Sequence, residues 1–389
     1  MTANGVKNTG IRENNIESIL NLLYTKNLSA THIAKALKLS KTAVFKILLE
    51  MEHMNLVENL AVNGDENEKY KRTLYTIKQE AGILGVLEFG STYIKIVFSY
   101  LNGQIFDETI IEDREFLTLD DLNDISKVIL NKKAQFETDV CKIISIIVST
   151  PGQINKFKDE IENSVKFKLI KEIPIRAFFE EKLNIKVMLK NDINLAIIGE
   201  KHFGKSERIA DNGILIYIDS GMGGAILNEN NIIEGDFGYA AEFGLISTYD
   251  QFGNNIVYDL ICSINSIKKQ IAYQHFMGKQ TQLPPTFRYR QVVKAFYDKD
   301  PVVLEIVKYT AYKIGELISN LSYIFNYQQF FIGGRIKALG DQYLEWVNEA
   351  IDKSIKQISI KYTTLGDENI IYGAIHMGVT NAFSVVAKK

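Results

Sequence analysis

The sequence predicts a mixed α/β fold in which a small helical head precedes a larger body made of two related lobes. A pattern of strand, glycine turn, strand, turn and strand occurs at residues 83–106 and again at 214–245, about 130 residues later. The first eighty or so residues show apolar positions at helical spacing instead. With 389 residues and 46% hydrophobic content, the chain can form two or three domains with sizeable cores. The repeated pattern indicates a duplicated body with a cleft for a ligand.

Charge and composition narrow the class of protein. Residues 1–79 contain 11 Lys and Arg against 8 Asp and Glu, whereas the remainder contains 34 against 39. A basic head on an acidic body is typical of a nucleic-acid module joined to a small-molecule module. The two cysteines, Cys141 and Cys262, cannot build a disulfide framework. Without a long apolar run or a signal core, we expect a cytoplasmic protein with no membrane contact.

The head has the pattern of a helix-turn-helix. After a first amphipathic helix over 11–24, Ser29 and Ser40 are placed to cap two short helices joined by Lys38 and Leu39. In the second of these helices Val44, Ile47, Leu48 and Met51 form the apolar stripe, which leaves a basic and hydroxylic face open. That face carries Lys41, Thr42, Phe45 and Lys46. We interpret it as the face that enters the major groove of DNA; the alternative is a plain helical hairpin with a solvated basic face.

A hairpin is predicted directly after these helices. Residues 56–62 and 73–77 have strand composition, and a polar, charged loop separates them. A hairpin in this place is a wing, so Lys71 and Arg72 are candidates for contacts to phosphate or the minor groove. The prediction is therefore a winged helix over residues 1–79.

Polar residues follow buried strands in the body. The run at 143–148 leads into a turn that contains Gly152, and a strand at 186–189 leads to Asn191 and Asp192 before an apolar helix. The carboxyl ends of strands are where α/β folds hold ligands. Asp192 can also serve as the cap of the helix that follows, and the two roles are compatible.

Six motifs in order behind the predicted winged helix resemble the ROK family of bacterial repressors and sugar kinases, and specifically its regulator branch. They are LEFGSTYIK, VSTPG, LKNDINLA, DSGMGGAI, GYAAEFG and FFIGG. The resemblance covers nearly the whole chain. It implies an N-terminal winged helix-turn-helix followed by a two-lobed domain with the hexokinase- and actin-like ATPase fold. The lobes would span 80–191, completed by a C-terminal helix over 372–389, and 192–371.

The resemblance also implies a set of sugar-binding residues. Asn191 and Asp192 match the ligands of sugar hydroxyls, and the aspartate is the general base in the kinases of the family. Glu242 matches another sugar-binding carboxylate, and Gly152 lies in the loop beside the sugar. Asp259 stands where the family has a sugar-binding glutamate, although its side chain is shorter.

At two places the chain departs from the family. Leu245, Asp250, Phe252 and Val257 occupy the positions of the one His and three Cys that hold zinc, so no metal is expected here. The phosphate loops also differ. They contain Glu88, Ser91, Tyr93 and Asp219, and a carboxylate at position 219 is expected to repel a triphosphate.

Together these features predict a regulator that represses genes of carbohydrate uptake or catabolism and has no enzymatic activity. Its partners would be operator DNA and a sugar or sugar derivative held between the lobes, and no cofactor is expected. The chain would act as a homodimer, which can pair into tetramers. One alternative is an ATP-dependent sugar kinase with a DNA-binding head, for which Asp192 is the supporting feature. Another is a DNA-binding regulator without a small-molecule effector.

Overall fold

A computed structural model describes residues 3–388 except 63–71, 92, 113–115, 156, 158–159, 163, 165, 206–208 and 356. The side chains of 3–9, 61–62, 72 and 367 also lie outside the description. The chain divides into two compact units. The first unit comprises Met1–Gly152, Asp159–Lys190 and Ala374–Lys389, and the second comprises Gln153–Lys158 and Asn191–Gly373.

Three helices and an antiparallel hairpin form the head, which belongs to the first unit. Its elements are α1 (Ala3–Thr25), α2 (Ala30–Leu37), α3 (Lys41–His53), β1 (Val57–Val62) and β2 (Arg72–Ile77). The predicted caps are confirmed, because the hydroxyls of Ser29 and Ser40 each accept a backbone N–H from the first turn of the following helix. Lys38 adopts the left-handed conformation that ends α2. This arrangement is the predicted winged helix-turn-helix.

The body begins with a series of strands and helices that leads to the candidate sugar residues. These elements are β3 (Ile83–Phe89), β4 (Ile94–Tyr100), β5 (Ile105–Ile111), α4 (Leu119–Phe136), β6 (Ile143–Thr150), β7 (Gln153–Asn155), β8 (Glu160–Glu162), α5 (Ile175–Leu183), β9 (Lys186–Asn191) and α6 (Asp192–Phe203). Strand β3 is buried along its whole length, as its apolar sequence requires of a central strand.

The remaining elements build the second unit and end in a helix that returns to the first. They are β10 (Gly213–Ile218), β11 (Met222–Asn228), β12 (Asn231–Ile232), β13 (Ser247–Tyr249), β14 (Asn255–Val257), α7 (Asp259–Cys262), α8 (Ile264–Phe276), α9 (Tyr289–Tyr297), α10 (Pro301–Phe325), β15 (Gln329–Gly333), α11 (Asp341–Glu349), β16 (Ser359–Tyr362) and α12 (Asn369–Val386). Short 3-10 turns lie at Phe243–Leu245 and Arg335–Leu339. No helix in the described part of the chain is long and apolar enough to cross a bilayer.

The two units contain sheets of the same topology. The strand order is β5-β4-β3-β6-β9 in the first unit and β12-β11-β10-β15-β16 in the second. In each sheet an antiparallel hairpin is extended by a parallel strand, β6 beside β3 and β15 beside β10. This correspondence confirms the duplication that the repeated glycine pattern predicted. It also places the glycine turns after β3 and β10 at equivalent positions.

Helices α6 and α12 cross at two glycines of the second unit. A Cβ on Gly373 would collide with the carbonyl oxygen of Leu195 and lie 2.9 Å from the nitrogen of Gly199, so the two backbones touch. Nearby, the buried carboxylate of Glu200 on α6 accepts the N–H of Thr364 at 2.8 Å and that of Leu365 at 3.2 Å. These bonds hold the loop that leads into α12. Helix α12 begins in the second unit and ends in the first.

The far part of α12 contacts the head within the first unit. The Tyr24 ring at the end of α1 lies 5.7 Å from the His376 ring and 6.0 Å from the Phe383 ring, centroid to centroid. Tyr24 also packs against the turn at Gly103, where a Cβ would lie 3.1 Å from the tyrosine ring. The head therefore packs on the end of the same helix whose beginning crosses α6.

We expect Gly373→Ala to destabilise the protein by about 1–3 kcal/mol, because the added methyl group has no room between two helix backbones. Gly10→Ala is the matched control, since Gly10 also lies in a helix but has nothing within 4 Å of the place that an added methyl group would take. There the higher helix propensity of alanine should stabilise by about 0.5–1 kcal/mol. Thermal unfolding followed by circular dichroism measures both. Equal midpoints for the two variants would contradict the close helix crossing.

Candidate functional site

The exposed face of α3 carries all four of the predicted DNA-contacting residues on this helix. Lys41, Thr42, Phe45 and Lys46 are exposed, and the Phe45 ring, an apolar group, is 50% exposed. On the opposite side Val44, Leu48 and Met51 are fully buried, whereas Ile47, which the sequence also placed in the stripe, is only half-buried. The separation of the two faces leaves a basic, hydroxylic and aromatic surface open to solvent.

The orientation of α3 is fixed by contacts within the head. Arg12 on α1 forms an ion pair with Glu50 on α3, in which the Arg12 Nε lies 2.7 Å from Oε1. Strand β2 is also joined to the segment before α2, because Leu28 and Tyr75 exchange both of their backbone hydrogen bonds. Of the two predicted wing residues, Lys71 lies outside the described residues and Arg72 starts β2 without a described side chain. Their contacts with DNA stay a prediction.

Asn191 and Asp192 mark the junction between β9 and α6. The helix cap is Asn191 rather than Asp192, since the Asn191 Oδ1 accepts the N–H groups of Ile193 at 3.0 Å and Asn194 at 3.1 Å. Asp192 is the first residue of the helix, and its Oδ1 accepts the Ile193 N–H at 2.8 Å. A carboxylate at a helix N-terminus is stabilised by the helix dipole. Both side chains are half-buried.

Glu242 lies at the end of a loop and is hydrogen-bonded to the side chain of Gln153. Burial raises the pKa of the Glu242 carboxyl, and the hydrogen bond from Gln153 lowers it only in part. The carboxylate is therefore incompletely compensated, which favours a ligand that donates a hydrogen bond to it. Gly152, just before Gln153, has a φ of 100° and packs so closely against Ser164 that a Cβ would lie 2.7 Å from that side chain. Only glycine fits there.

The segments that carry Asp192 and Glu242 both pack against the start of β11. A Cβ on Gly223 would lie 2.6 Å from the Cδ1 of Ile193, and one on Gly224 would collide with the ring of Phe243. Successive residues of a strand face opposite sides, so Ile193 and Phe243 press on β11 from its two faces. Gly223 and Gly224 therefore allow Ile193 and Phe243 to pack closely on the strand. They fix the residues directly after both candidate carboxylates.

Asp259 is part of the support of the glycine turn. Its Oδ1 accepts the backbone N–H of Met222 at 2.7 Å, immediately after that turn. Burial raises the pKa of this carboxyl, and the bond from Met222 partly opposes the rise. This backbone partner gives the aspartate a structural role in addition to the sugar contact that the sequence predicted.

The region that matches the zinc site of the family is a hairpin made of β13 and β14. The carboxylate of Asp250 accepts the N–H groups of Phe252 at 2.8 Å and Asn254 at 2.9 Å, so it closes the turn. Leu245 and Phe252 are exposed, and Val257 is half-buried. The described residues contain no group of three His, Cys, Asp or Glu side chains arranged to hold a metal ion.

The first phosphate loop is covered by its own tyrosine. The Tyr93 hydroxyl donates to the Glu88 carboxylate at 2.7 Å, and the Tyr93 ring lies where a Cβ of Gly90 would be. Lys166, which is buried, donates to the Tyr93 carbonyl oxygen at 3.0 Å. Ser91 is exposed beside them. The Tyr93 ring therefore lies directly on the glycine of this turn.

An ion pair with Arg335 occupies the second phosphate loop. Asp219 follows β10, and Arg335 follows the neighbouring parallel strand β15. The Arg335 Nε lies 2.9 Å from both carboxylate oxygens, and the guanidinium also donates to the Ser220 hydroxyl at 2.8 Å. Burial by itself would raise the pKa of Asp219, but the bonds and charge of Arg335, with the N–H of Ser220, hold that pKa below its usual range.

Arg335 was missed by the sequence analysis, which considered Asp219 as an unopposed charge. The sequence signal for Arg335 is its position directly after the FFIGG motif. The carboxyl ends of neighbouring parallel strands lie at one edge of a sheet, so a residue at that position can reach Asp219. Because the pair is neutral overall, repulsion of a triphosphate is weaker than the sequence suggested. The loop instead forms its own intramolecular hydrogen bonds.

Known proteins of two kinds, repressors and sugar kinases, match different shares of this chain. The chain is 25% identical over 391 aligned residues to a xylose repressor from Caldicellulosiruptor bescii, covering 93% of this chain and 94% of the relative. It is also 25% identical over 308 residues to a glucokinase from Halalkalibacterium halodurans, which covers 74% of this chain and 92% of the relative. The similarity to the repressor thus extends over more of the chain than the similarity to the kinase.

Solved structures show the same difference in coverage at the level of the fold. A ROK family transcriptional regulator described as a homolog of the E. coli MLC protein superposes with a TM-score of 0.81 at 18% identity, covering 97% of this chain and 99% of its own. A ROK family glucokinase from Streptomyces griseus, in complex with glucose and AMPPNP, superposes with a TM-score of 0.62 at 17% identity, covering 76% and 99%. The sequence profile of the ROK family matches residues 84–378, well over half of the chain. The resemblance inferred from six motifs is therefore confirmed, and the chain belongs to the ROK family.

Proposed function

We propose that this protein is a transcriptional repressor that binds operator DNA through α3 and responds to a sugar or sugar derivative held by Asn191, Asp192 and Glu242. The observation that carries the proposal is the exposed face of Lys41, Thr42, Phe45 and Lys46 on a head that packs on the body through Tyr24. Similarity to a xylose repressor over nearly the full chain supports it. A homodimer would present two such heads to the two halves of an operator.

We also propose that the protein does not transfer phosphoryl groups. Phosphoryl transfer depends on positioning and charge neutralisation around the triphosphate. Tyr93 lies on Gly90 in one loop, and Arg335 binds Asp219 in the other, so a side chain lies at each of the two turns that match the phosphate loops of the kinases. Asp192 is the observation that favours the alternative, a sugar kinase with a DNA-binding head. An ATP-dependent assay over common hexoses separates the two functions.

The role of α3 is tested with a Lys41→Ala, Lys46→Ala double variant and operator fragments selected from random DNA by the parent protein. Loss of base contacts should weaken operator binding by about 1–3 kcal/mol per contact, and loss of phosphate contacts should reduce the salt dependence. The matched control is Lys168→Ala with Lys171→Ala, which removes two exposed lysines from the body. The proposal is wrong if both double variants bind with the affinity of the parent at physiological salt.

The response to a sugar is tested by operator titrations with and without the best-binding sugar from a thermal-shift screen. We expect the parent to change its operator affinity by about 5- to 150-fold, the range typical of allosteric coupling. Asp192→Asn and Glu242→Gln should bind operator normally but lose the response, because each removes a charged acceptor with little change of shape. Glu345→Gln, an exposed carboxylate on α11, is the control. A full response in either site variant would place the effector elsewhere.

Tyr24→Ala tests how the sugar signal reaches the head. Tyr24 joins α1 to α12, so we expect this variant to bind sugar and operator separately but to show at least about a fivefold smaller effect of sugar on operator binding. Tyr273→Ala removes an exposed tyrosine from α8 and should leave the response intact. Fluorescence anisotropy of labelled operator measures both. An unchanged response in Tyr24→Ala would show that the contact with α12 plays no part in signalling.

A further inference from the structure

Two exposed aromatic rings contact each other on the same two segments that carry the hydrogen-bonded pair of Glu242 and Gln153. Phe157 is 72% exposed and Phe237 is 61% exposed, yet their ring centroids are only 6.2 Å apart. The Tyr239 ring continues the row at 6.5 Å from Phe237, nearly parallel to it. All of these residues belong to the second unit. We call this row of three rings the aromatic row.

The backbone holds these rings in place. Phe157 follows a turn in which its N–H donates to the Asn155 side chain at 3.1 Å. Phe237 and Tyr239 lie in a loop that is closed by a hydrogen bond from the Ala240 N–H to the Glu234 carbonyl at 3.2 Å. Positive φ angles at Gly235, Gly238 and Ala241 shape this loop. Two exposed phenylalanines on these two segments cost solvation free energy, which a ligand that covers them would recover.

The aromatic row and the polar pair are built from the same two segments. One segment supplies Gln153 and Phe157, and the other supplies Phe237, Tyr239 and Glu242. These segments meet through the hydrogen bond between Gln153 and Glu242 and again through the contact between Phe157 and Phe237. A sugar ring has polar edges, which suit a carboxylate and an amide, and apolar C–H faces, which suit an aromatic ring. When one sugar ring binds at Glu242, the aromatic row remains available to a second group that is attached to that ring.

We propose that the aromatic row is a second subsite, which binds the second ring of a disaccharide whose first ring is held by Glu242 and Asp192. The inference rests on the proposed sugar response and narrows the effector to a disaccharide. The first ring is bound mainly by hydrogen bonds to its hydroxyls, and the second by its apolar face on Phe157 and Phe237. Binding buries both phenylalanines and thereby strengthens the affinity for a disaccharide over that for its monosaccharide.

The test uses isothermal titration calorimetry with matched pairs of sugars: xylose and xylobiose, glucose and cellobiose, N-acetylglucosamine and its β-1,4-linked dimer. In at least one pair the disaccharide should bind the parent at least about tenfold more tightly than the monosaccharide. Phe157→Ala and Phe237→Ala should each weaken disaccharide binding by about 2- to 12-fold, the scale of aromatic contacts, and leave monosaccharide binding unchanged. Both residues are exposed, so the variants should fold.

Phe252→Ala is the matched control, because it removes another highly exposed phenylalanine of the same unit and should change neither affinity. The subsite is wrong if the disaccharides bind no more tightly than the monosaccharides, or if the two alanine variants bind disaccharide like the parent. A change of oligomeric state in Phe237→Ala with unchanged sugar affinity would also overturn it and assign the row to a protein contact. If the subsite fails in one of these ways but monosaccharide binding still depends on Glu242, the proposed response to a sugar is retained. If no sugar binds, both proposals fail.

Discussion

The contact between the backbones of α6 and α12 at Gly199 and Gly373 is the constraint on which much of the structure depends. Helices normally pack 8–10 Å apart through their side chains, and this crossing is closer because neither glycine has one. Glu200 then fixes the loop before α12 with hydrogen bonds to Thr364 and Leu365. Because α6 starts at Asp192 and α12 runs into the first unit, the candidate ligand residue and the packing surface of the head are attached to two helices in direct contact.

The two glycine turns of the duplicated body have been closed by local side chains. Tyr93 lies on the first, and the pair of Asp219 and Arg335 occupies the second, and all of these partners come from the ends of β3, β10 and β15. Asp192 accepts the N–H of Ile193 at the start of α6, and burial keeps the pKa of Glu242 raised. These contacts support the proposal that the body senses a sugar and does not phosphorylate it.

Much of this fold could be predicted from local sequence signals. The caps at Ser29 and Ser40, the buried stripe of α3 and the strands beside the glycine turns follow from short patterns, and the duplicated sheets confirm the repeat. Residue partners across the chain could not be predicted in this way. The bond of Arg335 to Asp219 spans 116 positions, and that of Asp259 to Met222 spans 37, so both depend on which strand ends become neighbours. The choice of Asn191 over Asp192 as the helix cap is a local matter, set by the residue at which the helical conformation begins.

The cap at Asn191 supports the proposal that a small ligand acts on α6. Asn191 and Asp192 both accept N–H groups from the first turn of α6, so a sugar hydroxyl that draws on either side chain competes with the bonds that start the helix. In the proposed response a shift of that turn would displace α6, which contacts α12 at Gly199 without side chains between the two backbones. The end of α12 packs on Tyr24 through His376 and Phe383, so Tyr24 is the contact through which the proposed signal would reach the head.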